Sequence, residues 1–362
     1  MTVLIERALN RATLARQLLL ERSTTGVFDA VEHLVGLQAQ VPHNPYLALW
    51  SRLEGFEPEE LSQLLDNRRV VRIVVMRGTL HLVSAEDALV LRALAQPVLD
   101  QEMARHGEFA ASLRGRDLAP AMAFARGLLA EAPRTGGELR AAMAERFPEE
   151  DAAAFAFACR NLLGLVQVPP RGLWRRSGIV RSTTVEAWLG RPLAAAPSID
   201  DVVVRYLAAF GPATVADVAT WSRLTGLREV LERLRPRLAV FRDERGRELF
   251  DVPDGPRPDP DTPAPVRFLP EYDNLLLSHA DRSRFLSDDE RRQLSAGTRA
   301  VKGSVLHDGR GIGTWRMDGD ALVVDHLVPL AKRAAAAIEA EGRRALAFLE
   351  PAGSDVRLVA LP

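Results

Sequence analysis

Val27, Val31 and Leu34 recur at helical spacing, which predicts a helix from Val27 to Leu37 with Thr25 or Gly26 near its start. An earlier helix is predicted from Leu9 to Glu21. A third runs from Glu59 to Asp66, with Pro58 at a favourable first-turn position and acidic residues early. The period then changes. Val70-Val71-Arg72-Ile73-Val74-Val75-Met76 is short and β-branched, Arg77-Gly78 is turn-like, and Thr79-Leu80-His81-Leu82-Val83 reads as a returning strand. Three helices followed by a β-hairpin is the order of a winged helix.

The order recurs twice. Leu118 to Glu131, Gly137 to Phe147 and Glu149 to Leu163 read as helices, then Leu165 to Val168 and Leu173 to Arg176 as strands about the turn Pro169 to Gly172. Ile199 to Phe210, Thr214 to Leu224 and Leu227 to Leu234 are again helical, with Thr214 and Asp217 spaced as a variant capping box. Leu238 to Phe241 and Glu248 to Val252 close that unit. Repetition of one supersecondary unit suggests an array. The expected organisation is a winged-helix unit over 1–110, a second over 111–196, a third over 197–253, a Pro-rich linker over 254–265 and a C-terminal region over 266–362. In that last region Val301 to Leu306, Gly311 to Met317 and Ala321 to Asp325 read as strands joined at Asp308-Gly309 and Asp318-Gly319. A helix from Leu330 to about Leu349 and a strand near Val356 to Val359 follow. The fold class is therefore mainly α with small β-hairpins (α+β), as tandem winged-helix units with a C-terminal mixed α/β region.

Composition narrows the function. The 362 residues suffice for two or three folding units, and 47% hydrophobic with 26% charged residues is ordinary for a globular protein. No run approaches the roughly 18 apolar residues of a membrane span, and Met1 to Arg7 lacks a secretory layout, so a cytoplasmic protein is expected. The single cysteine, Cys159, excludes an intramolecular disulfide and any cysteine-rich zinc site; its apolar surroundings suit a buried thiol. The net charge of −1 decides nothing about nucleic acid. Only Lys302 and Lys332 are lysines, and the remaining basic residues are arginines, which grip phosphate bidentately.

Continuing the helical stripe by four residues lands on Gln38, an amide where the pattern asks for a hydrophobe. On an ideal helix Gln38 and Gln40 point about 200° apart, whereas in an extended segment they share a face. Pro42 removes a backbone donor and pushes Val41 towards extended geometry, so the helix is expected to end near here. Two readings stand: the amides converge on one ligand, or they cap a helix end. No phosphate loop, His-Glu-x-x-His or Gly-x-Ser-x-Gly is present, and the glycines of 308–313 precede a strand, unlike a dinucleotide fingerprint. His33, His43 and His81 are scattered, and solitary histidines are the commoner outcome; no metal and no cofactor are expected.

Gly36-Leu37-Gln38-Ala39-Gln40 with Pro45 to Leu53, Met76 to Val83, Leu269-Pro270-Glu271-Tyr272-Asp273, Asp281-Arg282-Ser283 and Gly313-Thr314-Trp315-Arg316 resemble, in order, the signatures of a bacterial family of winged-helix DNA glycosylases. Members of that family, which includes an azinomycin-resistance enzyme, excise bulky N7-alkylated purines and unhook interstrand crosslinks. The resemblance spans roughly residues 9 to 350. It implies Gln38 and Gln40 as catalytic residues, double-stranded DNA with alkylated purines as the partner, an open groove, and a monomer with no obligatory protein partner. Many members carry Asp where this chain has Gln40. Because an amide is no effective general base, weaker acceleration on less activated lesions is implied. DNA contacts are expected at arginines near turns and hairpins: Arg72, Arg77, Arg171, Arg175, Arg176, Arg310 and Arg316. Any single one is more often merely solvated. Trp315 reads as core, and Asp273, Asp281 and Arg282 as ion-pairing residues. A lyase needs an amine, and neither lysine lies near Gln38 in sequence, so a monofunctional glycosylase in DNA repair or genotoxin self-resistance is expected. The alternative is a non-catalytic winged-helix transcriptional regulator, for which the acidic helix from Glu59 to Asp66 is a poor recognition face.

Overall fold

In the computed structural model, which describes residues 2–294 and 302–361, strand Val70–Val74 lies at the centre of a five-stranded sheet. The spatial order is Leu37–Gln38, Leu80–Ser84, Val70–Val74, Leu165–Gln167 and Ser182–Thr184. Neighbouring strands are antiparallel throughout. The expected hairpin of the first unit is present, but it does not stand alone. Arg72 pairs with Gln167 and Ile73 with Val166, so strands that the sequence assigns to two separate units form one sheet.

The second strand expected at Leu173 to Arg176 is absent from that place. Gly172 takes a left-handed backbone, its carbonyl accepts from the Tyr46 hydroxyl at 2.9 Å, and the Trp174 amide donates to the Ser62 hydroxyl at 3.2 Å. Side chains of the first unit thus hold this segment, and Trp174 packs on Tyr46 and Phe348. The partner of Leu165–Gln167 is Ser182–Thr184.

Cross-strand pairs share a face. Gln38 pairs with His81, and His81 with Ile73, so both polar residues lie on the face that carries Ile73, Val71, Val83 and Val166. That face packs against Tyr206, Phe210 and Trp221 from helices Ile199–Phe210 and Val215–Ser222. Helices Val27–His33, Asn44–Arg52 and Pro58–Asp66 form a separate core with Leu37, Leu82 and Val70. Helices Ala119–Glu131, Gly136–Arg146 and Ala152–Leu162 enclose another, which includes Cys159, its thiol pushed up to about 12 by burial.

Two helices end earlier than the stripe predicts. The first is Glu6–Arg16, stopped where Leu18 takes a φ of 55°, and the second is Val27–His33. Helices Ala85–Leu94 and Gln96–Arg105 were not expected. The three helices expected over 197–253 are present, with the hairpin Ala239–Asp243 and Glu248–Asp251 extended by a parallel strand Val3–Leu4. Thr214 and Asp217 make the reciprocal capping box. Segment 253–265 carries neither helix nor strand, and Arg7 and Arg11 donate to its carbonyls at Pro260 and Thr262.

The C-terminal sheet runs Asp355–Ala360, Ala321–His326, Arg310–Asp318, Gly303–His307 and Arg267–Leu269. Val301, the first residue of one expected strand, lies outside the described residues. Helix Lys332–Leu349 covers the sheet, with Ile338, Ala345 and Leu346 in its core. The architecture is α+β. Among the described residues no helix is long and apolar enough to cross a membrane.

Candidate active site

Gln38 does not continue the preceding helix. Val35 and Gly36 both take left-handed backbone, φ 53° and 89°, and the Gly36 amide closes the helix by donating to the Val31 carbonyl at 2.9 Å. A Cβ on Gly36 would sit 2.6 Å from Val83 Cγ1 and 2.9 Å from the Leu82 carbonyl. Only glycine therefore lets the chain lie against the hairpin and begin strand Leu37–Gln38. The next residue is anchored twice. The Ala39 amide donates to the Leu80 carbonyl at 2.8 Å, and its carbonyl accepts from Arg72 Nη2 at 3.0 Å. Backbone on both sides of Gln38 is thus fixed before its side chain makes any contact.

The Gln38 side chain is 8% exposed, and its Oε1 accepts from Arg77 Nη2 at 2.7 Å. The same Nη2 reaches Asn274 Oδ1 at 2.9 Å and His81 Nε2 at 3.1 Å, while Nη1 donates to the Trp221 carbonyl at 3.1 Å. Arg77 stands in the turn Met76–Gly78 with a φ of 59°, which swings its guanidinium inward, away from solvent. Asn274 in turn donates from Nδ2 to the Gly36 carbonyl at 3.1 Å. Asp273 caps the 3-10 turn Asn274–Leu276 and is itself gripped by both Arg52 nitrogens at 2.8 and 2.9 Å. Gln40, two residues beyond Gln38, is exposed, and the 3.5 Å separation of its Oε1 from the Leu80 amide is too long to hold it. The loop after Gln40 docks on the same segment through Asn44 Nδ2, 2.7 Å from the Glu271 carbonyl.

Burial sets the charge states. Burial, with Arg77 adding to it, lowers His81 to about 3, so the imidazole is neutral. Its Nδ1 lies 3.0 Å from the Thr79 carbonyl and must be the protonated nitrogen, which leaves Nε2 to accept from Arg77. Burial and the neighbouring Arg282 charge lower Arg77 to about 10, still cationic at neutral pH. His279, buried against Phe210 and beside Arg284, is also lowered. Because both imidazoles are held neutral when folded but take a proton near pH 6.5 when unfolded, their contribution to stability is complete above that pH. It should fall with acid down to the folded values, by about 1.4 kcal/mol per pH unit for each histidine. Urea titrations from pH 7 to 4 test this. A slope unchanged by His81→Gln would show that His81 is not the residue responsible.

The arginines divide. Arg171 is half-buried and bonded to the Gly178 carbonyl, and Arg175 and Arg176 are exposed on the same loop. Arg72 is a correction: it is 1% exposed, lowered to about 10 by burial and by Arg171, and holds Ala39 instead of facing solvent. Arg77 is also turned inward. Arg310 is engaged by Glu6, Glu290 and the Ser283 carbonyl, and tethers the N-terminal helix to the C-terminal sheet. Arg316 is half-exposed near Asp318 and Asp325. Trp315 donates to the Leu269 carbonyl and packs as core. Asp273 pairs with Arg52, and Asp281 with Arg245 and Arg247.

Sequence reading missed Arg223 and Arg160. They approach the turn beside Arg77, at 3.3 Å from the Arg77 carbonyl and 3.5 Å from that of Gly78. Both lie far from the turn in sequence, and no local signal marks them. His33, His43 and His81 do not meet: His33 bonds the Arg16 carbonyl, and His43 stands against Trp174. Among the described residues no cluster of His, Cys, Asp or Glu is placed to hold a metal ion.

Three comparisons bear on this arrangement. The family model described as DNA glycosylase AlkZ-like matches residues 31–348. Among solved structures, the Streptomyces sahachiroi DNA glycosylase AlkZ is similar in fold, with a TM-score of 0.79 and 22% identity over 99% of this chain and 100% of that one. Curated protein sequences give no match.

Proposed function

The chain belongs to the AlkZ-like DNA glycosylase family, and from that premise we propose that it hydrolyses the N-glycosidic bond of N7-alkylated purines in duplex DNA. Membership of an enzyme family sets aside the regulator alternative. One observation carries the substrate class: the side chains of the motif are amides, with Gln38 fixed in a strand and Gln40 exposed two residues on, and an amide supplies neither the carboxylate base nor the acid that an unactivated base would require. An N7-alkylpurine is cationic and leaves as a neutral molecule, so it asks for no acid. The enzyme must hold the nucleotide, tolerate oxocarbenium character on the sugar and place a water, and amides suit those tasks.

Bulky or crosslinked bases do not fit a snug flipping pocket, and an open site would suit them. We read the three helical units as winged-helix variants lining one groove, and extend the proposed substrates to interstrand crosslinks. Arg171, Arg175 and Arg176, on one loop, are the proposed phosphate contacts from the second unit, with Arg223 and Arg160 beside the turn at Arg77. The enzyme is proposed to act as a cytoplasmic monomer in repair or self-resistance.

Incubation with duplex DNA containing N7-methylguanine should release the free base and leave strands intact until hot alkali cleaves the abasic site. Lys302 immediately precedes strand Gly303–His307 and Lys332 opens helix Lys332–Leu349, both in the C-terminal region. Borohydride should trap no protein–DNA adduct. Direct strand scission would contradict the amide-and-water chemistry, and absence of base release would remove the substrate assignment.

A further inference from the structure

We propose that Arg77 is a positioning residue that divides the work of the two glutamines, making Gln38 a hydrogen-bond donor to DNA and leaving the water to Gln40. This assignment rests on the glycosylase reading above. A guanidinium has only donors. At 2.7 Å from Gln38, Arg77 Nη2 can meet the carbonyl oxygen of that amide and not its nitrogen. The side-chain orientation of Gln38, which an amide's near symmetry otherwise leaves open, is therefore dictated by its partner. Oε1 is occupied, and the Nε2 group is the part of Gln38 left to meet a substrate, where it seeks an acceptor such as a phosphate or sugar oxygen.

The positioning holds because Arg77 has no freedom to withdraw. Its Nη2 has three acceptors for two protons, at Gln38, Asn274 and His81, so one proton is shared, and Nη1 is held by the Trp221 carbonyl. Each acceptor is fixed in its own role. His81 can only accept at Nε2 because its Nδ1 proton goes to the Thr79 carbonyl. Asn274 can only accept at Oδ1 because its Nδ2 donates to the Gly36 carbonyl. The chain of donors and acceptors therefore reads in one direction, from three different segments of the protein, and ends on the Gln38 amide. Among the described residues Gln40 has no such cation: its Oε1 faces only the Leu80 amide, at 3.5 Å, which leaves a lone pair open. It is the member of the pair whose carbonyl oxygen is available to orient a water towards the sugar.

The two glutamines should then respond in opposite ways to the same substitution. Gln38→Glu keeps an acceptor for Arg77, and the new carboxylate is compensated by that buried cation, so folding persists. It loses the donor, and single-turnover release of N7-methylguanine should slow by about tenfold or more. Gln40→Glu supplies a better water acceptor, and release should hold or rise. Arg77→Met frees the Gln38 carbonyl and should slow release by about 100-fold, whereas Arg77→Lys, which keeps one donor and the charge, should recover part of the rate.

A merely structural Arg77 would show equal losses in the Met and Lys variants, tracking their thermal stability. Two results overturn the proposal: a Gln38→Glu enzyme at least as fast as the wild type, or an Arg77→Met enzyme that is folded and unimpaired. If the wild-type protein releases no base, the substrate reading fails and takes this assignment with it. If the wild type is active and the two Glu variants behave alike, the substrate reading stands and the division of roles alone is wrong.

Discussion

Replacing Asp273 with alanine should lower the stability of the protein by about 3–5 kcal/mol, the largest single-residue stability loss expected around the site. Arg52 and Asp273 are each about 1% exposed at the side chain. The carboxylate meets both terminal nitrogens of the guanidinium, whose other partners are the Ala48 carbonyl at 3.0 Å and Gln17 Oε1 at 3.3 Å. Those neutral acceptors cannot balance a buried cation, so removing the carboxylate leaves a charge with neither water nor counter-ion. A second loss adds to the first. Asp273 Oδ1 accepts from the Leu275 amide at 2.9 Å, and without that cap the turn presenting Asn274 is released. Asn274 touches both Gly36 and Arg77, so base release should decline even where the variant remains folded. Asp281→Ala is the control. That carboxylate is 21% exposed, pairs with half-exposed arginines and accepts from the Ser283 amide at 3.0 Å, so its loss should cost about 1–2 kcal/mol, less than that of Asp273. Urea denaturation of both variants decides the matter; equal midpoints would mean that the Arg52–Asp273 pair contributes no more than a surface contact.

Gln38→Ala and Gln40→Ala should each slow single-turnover release of N7-methylguanine by about 100-fold, with little change in folding. Gln38→Ala takes one acceptor from Arg77, but Asn274, His81 and the Trp221 carbonyl remain, so the guanidinium stays satisfied. Gln40 is exposed and its loss opens no cavity. The double variant should be only slightly slower than either single one, because groups that act as a unit, one holding the nucleotide and the other the water that attacks it, are not additive. Duplex affinity should move little, since most binding comes from phosphate contacts spread over the groove. Gln40→Asp should match or exceed the wild type on simple monoadducts. Full activity in the double variant would remove the motif from the mechanism.

The parts of the fold that show in the sequence are those whose signals are local. Helices Ile199–Phe210 and Leu227–Leu234 match their predicted bounds because their apolar faces are continuous, and the capping box at Thr214 is written in two residues three apart. Helix Asn44–Arg52 is less visible, since Pro42 and Pro45 look like interruptions; Pro45 in fact occupies the first turn, where a missing amide proton costs nothing. The helical stripe through Leu34 points past the true end of its helix. Gly36 is the local sign of that end, but its reason is the approach of Val83, nearly fifty residues later.

The site divides in the same way. Gln38 and Gln40 stand out as amides in an apolar pattern. Arg77 does not, because an arginine in a turn next to glycine ordinarily points to solvent, and only its left-handed backbone with distant acceptors at Gln38, Asn274 and Trp221 draws it in. Arg72 is the mirror case: it sits mid-strand, where alternation alone cannot say whether an arginine meets water or the backbone of the Gln-bearing segment.

The shared sheet has a consequence for how the chain can be cut. Strand Val70–Val74 has Leu80–Ser84 on one side and Leu165–Gln167 on the other. A fragment ending before the second unit would leave a β-branched strand with an open row of backbone donors and acceptors, a template for pairing with another copy. The segment that carries the hairpin is therefore not portable on its own. Separated from residues 165–167, it should self-associate through that bare edge, so the strands of this sheet should be expressed and engineered as one piece.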